Sequence, residues 1–126
     1  MAYIAAMIEL LTDLPDNVVG AEAVGEVSTD DYRTVLEPAI DAALQKHAKA
    51  RLLYVLGDRF EGYSAGAAWE DTKVGVEHWR SWERIAVVTD REWIAHGVKA
   101  FGWLLPGAVR VFPVAERADA TAWVAG

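Results

Sequence analysis

Two apolar runs constrain this chain more than any other feature. RLLYVLG, residues 51–57, and RIAVVT, residues 84–89, are nearly continuous in aliphatic and β-branched residues. A run of this length without polar alternation marks a strand covered on both faces. Such a sheet needs layers above and below it, and the stretches around the two runs have helical periodicity. STDD at 28–31 opens the first of them. Ser28 or Thr29 can cap a helix there, and Asp30 and Asp31 favour its positive end. Tyr32, Val35, Leu36, Ala39, Ile40, Ala43 and Leu44 then share a face, to a helix end near His47. Pro38 inside this pattern predicts a kink or a boundary. A second helix is expected from about 65 to 80, with Ala68, Trp69, Thr72, Val76 and Trp79 on one face. TDRE at 89–92 reads as a capping box, with Thr89 as the cap and Glu92 reaching back. It opens a third helix, in which Ile94, Val98, Phe101 and Leu105 align and which Pro106 and Gly107 end.

The remaining segments complete an alternating order. Residues 6–11 and 18–26 read as strands, joined through the turn residues LPDN, where Asp16 and Asn17 tolerate left-handed backbone. So short a connection predicts an antiparallel hairpin. Residues 109–114 are the last strand, with Pro113 indicating an edge or a strand end. Residues 116–125 form a short final helix carrying Trp123. The order ββαβαβαβα defines an α/β fold: a mainly parallel sheet, an N-terminal antiparallel hairpin and flanking helices. A length of 126 residues fits one domain, 1–126. In open sheets of this kind ligands sit beyond the carboxyl ends of the strands, here Gly57–Ser64, Thr89–Asp90 and Pro113.

Charge and motifs narrow the function. The net charge is −7 with no basic stripe, which argues against nucleic acid and anionic membranes as partners. There are no cysteines, which removes disulfides and thiolate chemistry and suits a cytoplasmic setting. The apolar start, MAYIAAMIELL, has no basic flank and is too short to span a bilayer, so no signal or anchor is expected. His47, His78 and His96 lack metal-ligand spacing, and there is no Walker loop or GxGxxG. No metal, no cofactor and no enzymatic activity are expected. Glu83 beside Arg84 reads as surface charge.

GYSAG at 62–66 matches the G-x-S-x-G pattern of a nucleophile elbow. An elbow runs straight from strand to turn, whereas Asp58, Arg59, Phe60 and Glu61 separate this motif from the run that ends at Gly57. Its acid and histidine would have to be Asp90 and His96, both assigned to the start of the third helix. The favoured reading is that Ser64 caps the second helix. A regulatory reading makes Ser64 a phosphate acceptor at a helix N-terminus, opposed by Asp58, Glu61, Glu70 and Asp71.

All six tryptophans fall after residue 68. Trp69 and Trp79 line the second helix, and Trp93, Phe101 and Trp103 mark the third, with Gly97 and Gly102 among them. A helix-interior glycine costs about 1 kcal/mol relative to alanine, so close packing or room for a ligand should offset it. Core packing, a protein interface and an apolar pocket walled by these residues are all consistent with the pattern.

YVLGDRFEGYSAGAAWEDTKVGVEHW, ERIAVVTDREWI and AFGWLLPGAVRVFP resemble the SpoIIAA-like family of small bacterial proteins. That family is related in fold to STAS domains and has been compared with CRAL-TRIO lipid-transfer domains. The resemblance runs from the first strand to the last helix and implies the same strand–helix order. The best-known relatives, anti-sigma-factor antagonists, carry a phosphorylatable serine in a D-S-[ST]-G type loop. This sequence has Tyr63, Ser64, Ala65 and Gly66 there, without the Asp-Ser pair. The likeness to CRAL-TRIO domains implies carriage of nonpolar, lipid-like molecules, with Trp69, Trp79, Trp93, Gly97, Phe101, Gly102 and Trp103 as the site. The alternative is a STAS-type protein-interaction module, with Phe60 and Ser64 in its regulatory loop. A protein partner or homo-oligomer follows from that second reading.

Overall fold

The computed structural model describes residues 8–64, 66, 81–102 and 107–126. Five strands form the main sheet: β1 (Ile8–Leu10), β2 (Val18–Ala23), β4 (Ala50–Leu56), β6 (Trp82–Thr89) and β7 (Ala108–Phe112), side by side in that order. β1 pairs antiparallel with β2, and the other neighbours are parallel. The sheet therefore has the mainly parallel form with an antiparallel hairpin that the apolar runs and the short LPDN connection imply. Within the hairpin, Val18 N–H donates to Pro15 C=O at 2.9 Å. The left-handed residue is Asp13, at φ 62°, not Asp16 or Asn17.

The expected second strand, 18–26, is interrupted. β2 stops at Ala23 and a separate strand, β3 (Gly25–Val27), leaves the main sheet. Gly25 has φ 69°, a left-handed value that glycine tolerates and that re-aims the chain. β3 pairs in parallel with β5 (Phe60–Tyr63) in a two-stranded sheet.

Helical structure after β3 begins with a short turn, α1 (Thr29–Asp31), and continues through a π-helical turn (Tyr32–Leu36) into α2 (Glu37–Lys46). Ser28 is the cap, and the Asp31 carboxylate accepts from the Ser28 N–H at 2.7 Å, completing a capping box. Pro38 stands in the first turn of α2, directly after the π turn, so the boundary it predicted is real. With no N–H, proline could not continue an i→i−4 ladder from the preceding turn, and the wider π spacing absorbs the break. α3 (Glu92–Gly102) follows β6, a 3-10 turn (Val114–Glu116) follows β7, and α4 (Arg117–Ala125) ends the chain. Thr89 Oγ1 does accept a backbone N–H, but that of Arg91, two residues on, before α3 opens at Glu92.

The core has two layers, as a sheet covered on both faces requires. Leu52, Tyr54 and Leu56 of β4 face α1–α2 and α3 together with Tyr32, Ile40, Val87 and Ile94. Leu53 and Val55 face α4 together with Ala86, Val88, Phe112 and Val124. This alternation within β4 is the pleat itself, and burial of each such aliphatic side chain stabilises by about 1.5–3 kcal/mol. Arg84, expected as surface charge, is half-buried and donates to the Trp123 carbonyl at 2.6 Å. Arg51 donates to Val124 and Gly126 carbonyls at 2.9 Å each. The two arginines sit opposite each other on β4 and β6 and hold the carbonyl end of α4.

Candidate functional site

GYSAG begins as a strand, not as a loop. After β4 the chain turns through Gly57–Arg59, and Phe60 N–H closes the turn on Gly57 C=O at 3.1 Å. β5 then runs to Tyr63, with Gly62 at φ 134°, a value that side chains rarely adopt. Gly25 N–H donates to Arg59 C=O at 2.6 Å, and Ser64 N–H donates to Val27 C=O at 2.8 Å. Ser64 thus leaves a second, smaller sheet rather than the main one. Asp90, which an elbow would need to orient a histidine, instead accepts the Val114 N–H at 3.0 Å. The helix that Ser64 was expected to cap spans 65–80, of which only Gly66 is described, and Gly66 is helical.

An aromatic chain runs from the core to the surface beside this segment. Tyr54 and Tyr32, both buried, join hydroxyl to hydroxyl at 2.8 Å. Tyr32 meets Tyr63 at a ring distance of 6.4 Å, Tyr63 meets Phe60 edge-on at 5.1 Å, and Tyr63 meets Trp93 edge-on at 6.2 Å. Edge-to-face pairs of this kind each contribute about 0.5–1.5 kcal/mol beyond their burial. Phe60 is sealed in the core, whereas Trp93, in the first turn of α3, is 57% exposed. Arg91 locks the two elements together. Its guanidinium donates to Phe60 C=O at 2.6 Å and lies 5.4 Å from the centre of the Phe60 ring.

A charged network borders the same rim. Glu22, buried on β2, is shared by Arg59 and Arg117 at 3.3 Å each, and Arg59 also reaches Glu9 at 2.8 Å. These contacts tie β1, β2, the turn after β4 and the start of α4. The hydrogen bond to Glu22 comes first, then that to Glu9, in holding the Arg59 guanidinium above its ordinary pKa. A raised arginine pKa stabilises the charged form at every pH below it, so Arg59 stays ionised throughout the neutral range.

The residues expected to wall an apolar pocket fall as follows. Trp69, Trp79 and Trp103 lie outside the described residues, and Phe101 is placed only by its backbone, in α3. Trp93 points to solvent at the start of α3. A side chain at Gly97 would meet open space, and one at Gly102 would come within 3.1 Å of Val109. Gly102 thus allows the end of α3 to lie close on β7, and it borders a recess of about 510 Å³ between them. Tyr63 and Arg91 were not singled out in the sequence, because one looked like loop and the other like part of a cap. Among the described residues no group of three or more histidines and carboxylates is arranged to hold a metal ion. No described helix is long and apolar enough to cross a membrane.

Parallel strands with helical crossovers, an added hairpin and a short second sheet from which Ser64 leaves make up a mixed α/β domain. The chain belongs to the SpoIIAA-like family, whose model matches residues 18–125. Among solved structures it is similar to an uncharacterized protein of the DUF3478 family from Shewanella loihica PV-4, described as having a SpoIIAA-like fold. The two are 23% identical over 98% of each chain, with a TM-score of 0.76. Comparison with curated proteins returned no match.

Proposed function

We propose that this domain is a non-enzymatic, STAS-type protein-interaction module of the cytoplasm, and that its contact surface is the rim formed by residues 61–64, over buried Phe60, and the first turn of α3. The observation that carries this reading is Trp93. It is more than half exposed, yet its ring is steadied edge-on by Tyr63 and its helix is pinned to β5 by Arg91. A rigid exposed tryptophan is the kind of anchor on which protein interfaces concentrate their binding energy. Ser64 adjoins Tyr63 directly, so a charge placed there changes the surface at once.

The test compares Ser64→Asp, Ser64→Ala and Trp93→Ala in partner capture from host extract with quantitative mass spectrometry. Trp93→Ala should lose the partner, Ser64→Asp should change its retention, and Ser64→Ala should keep it. Identical retention by all three removes the reading. Carriage of an apolar molecule is less well supported, because the described part of its wall faces solvent at Trp93 and open space at Gly97. Titration with a fatty acid separates the two readings. The interaction module predicts unchanged tryptophan emission, and a saturable shift would favour the carrier.

A further inference from the structure

At the other end of α3 from Trp93 lies β7, the last strand of the main sheet among the described residues. Among the described residues β7 pairs only with β6, so its outer edge meets no described strand. Ala108 and Arg110 on this edge are exposed, and the strand contains no proline until Pro113 ends it. An edge of five residues with no strand on it among the described residues is a template for another strand. It also adjoins the recess of about 510 Å³, which Val98 and Gly102 of α3 and Val109 and Val111 of β7 line. Lys99, exposed, lines the same recess on the α3 side. The Arg110 guanidinium lies on the opposite, α4 side, 4.7 Å from the centre of the Phe112 ring and 5.3 Å from that of Trp123. In a chain of net charge −7, this edge therefore carries one cation on each face of the sheet.

Those charges select the occupant. If β7 paired antiparallel with the β7 of a second copy about its central residue, Arg110 would face Arg110, and like charges directly opposite destabilise a strand pair. An added strand with carboxylates on both faces would meet a cation on each. We propose that β7 is the docking edge for an extended, acidic segment of a partner protein. The segment adds as a further strand and seats an apolar side chain in the recess between α3 and β7. This edge is separate from the Trp93 rim, and the two surfaces stand or fall independently.

The test uses a fluorescein-labelled octapeptide, Glu-Thr-Val-Glu-Val-Glu-Glu-Thr, whose valines share one strand face with glutamates while further glutamates lie on the other, followed by anisotropy on the whole chain. Binding should weaken at least tenfold in Lys99→Glu and in Arg110→Glu. It should vanish when one of the two alternate sets of peptide amides is N-methylated and survive when the other is, since only one set of donors faces β7. Hydrogen exchange of the Ala108–Phe112 amides should slow in the complex. Lys99 is exposed and outside the core, so Lys99→Glu keeps the test sharp should Arg110→Glu disturb the packing of Trp123. Absence of binding at millimolar peptide overturns the proposal. So do equal binding of the same peptide with lysine in place of each glutamate, unchanged affinity in the Lys99 variant, or full affinity of both N-methylated peptides.

Discussion

Trp93 and Ile94 are adjacent in sequence and opposite in environment: the first is 57% exposed and the second 7%. Helical geometry accounts for the difference, since consecutive side chains diverge by about 100° around the axis. The face that Ile94 shares with Val98 therefore excludes Trp93. Grouping Trp93 with Phe101 and Trp103 as one wall went against a signal that the sequence did contain. Residue-scale predictions follow from specific contacts. Tyr54→Phe deletes the buried hydroxyl pair with Tyr32 and should lower stability by about 1 kcal/mol or somewhat more in urea denaturation. Gly107→Ala should do more harm, about 1–3 kcal/mol. Its new methyl would fall within 3 Å of the Trp82 and Glu83 backbone carbonyls, and backbone cannot step aside as a side chain can. Trp93→Ala should lower stability only modestly, by about 0.5–1.5 kcal/mol, through loss of its edge-on contact with Tyr63.

Legibility was uneven among the elements, and the reasons are physical. β4 and β6 could be read because burial on both faces leaves an apolar run that few other environments produce. The α1–α2 segment could be read because Ser28 and Asp31 mark its start and Pro38 its internal boundary. β3 and β5 could not. They have three and four residues, too few for a period to show, and their pairing joins segments more than 30 positions apart. The role of Arg51 and Arg84 was also hidden, since a cation at a strand start carries no sign of the distant carbonyls it will meet. Those carbonyls give an element-scale prediction. Arg84→Met should loosen α4 by removing the charge-assisted bond to Trp123 C=O, at about 1.5–3 kcal/mol. Native-state hydrogen exchange should then show α4 amides losing protection before those of β4.

Across the whole molecule, the family and the mainly parallel alternation of strands and helices were legible, and the location of the candidate site was legible only in outline. The proposed rim lies beyond the carboxyl ends of β4 and β6, where open parallel sheets leave their strand ends accessible. The side chains that make the rim came from elsewhere: Tyr63 from a motif that looked catalytic and Arg91 from a motif that looked like a cap. The central claim is that the Trp93 rim is a protein-binding surface. The measurement that tests it most directly is site-specific photocrosslinking from position 93 in the native host, with a second probe at exposed Lys49 as the control. The account predicts a discrete crosslinked protein from position 93 that Ser64→Asp changes in yield and that position 49 does not give. The same crosslinks from both positions, or none from position 93 in cells where the folded domain is abundant, would contradict it.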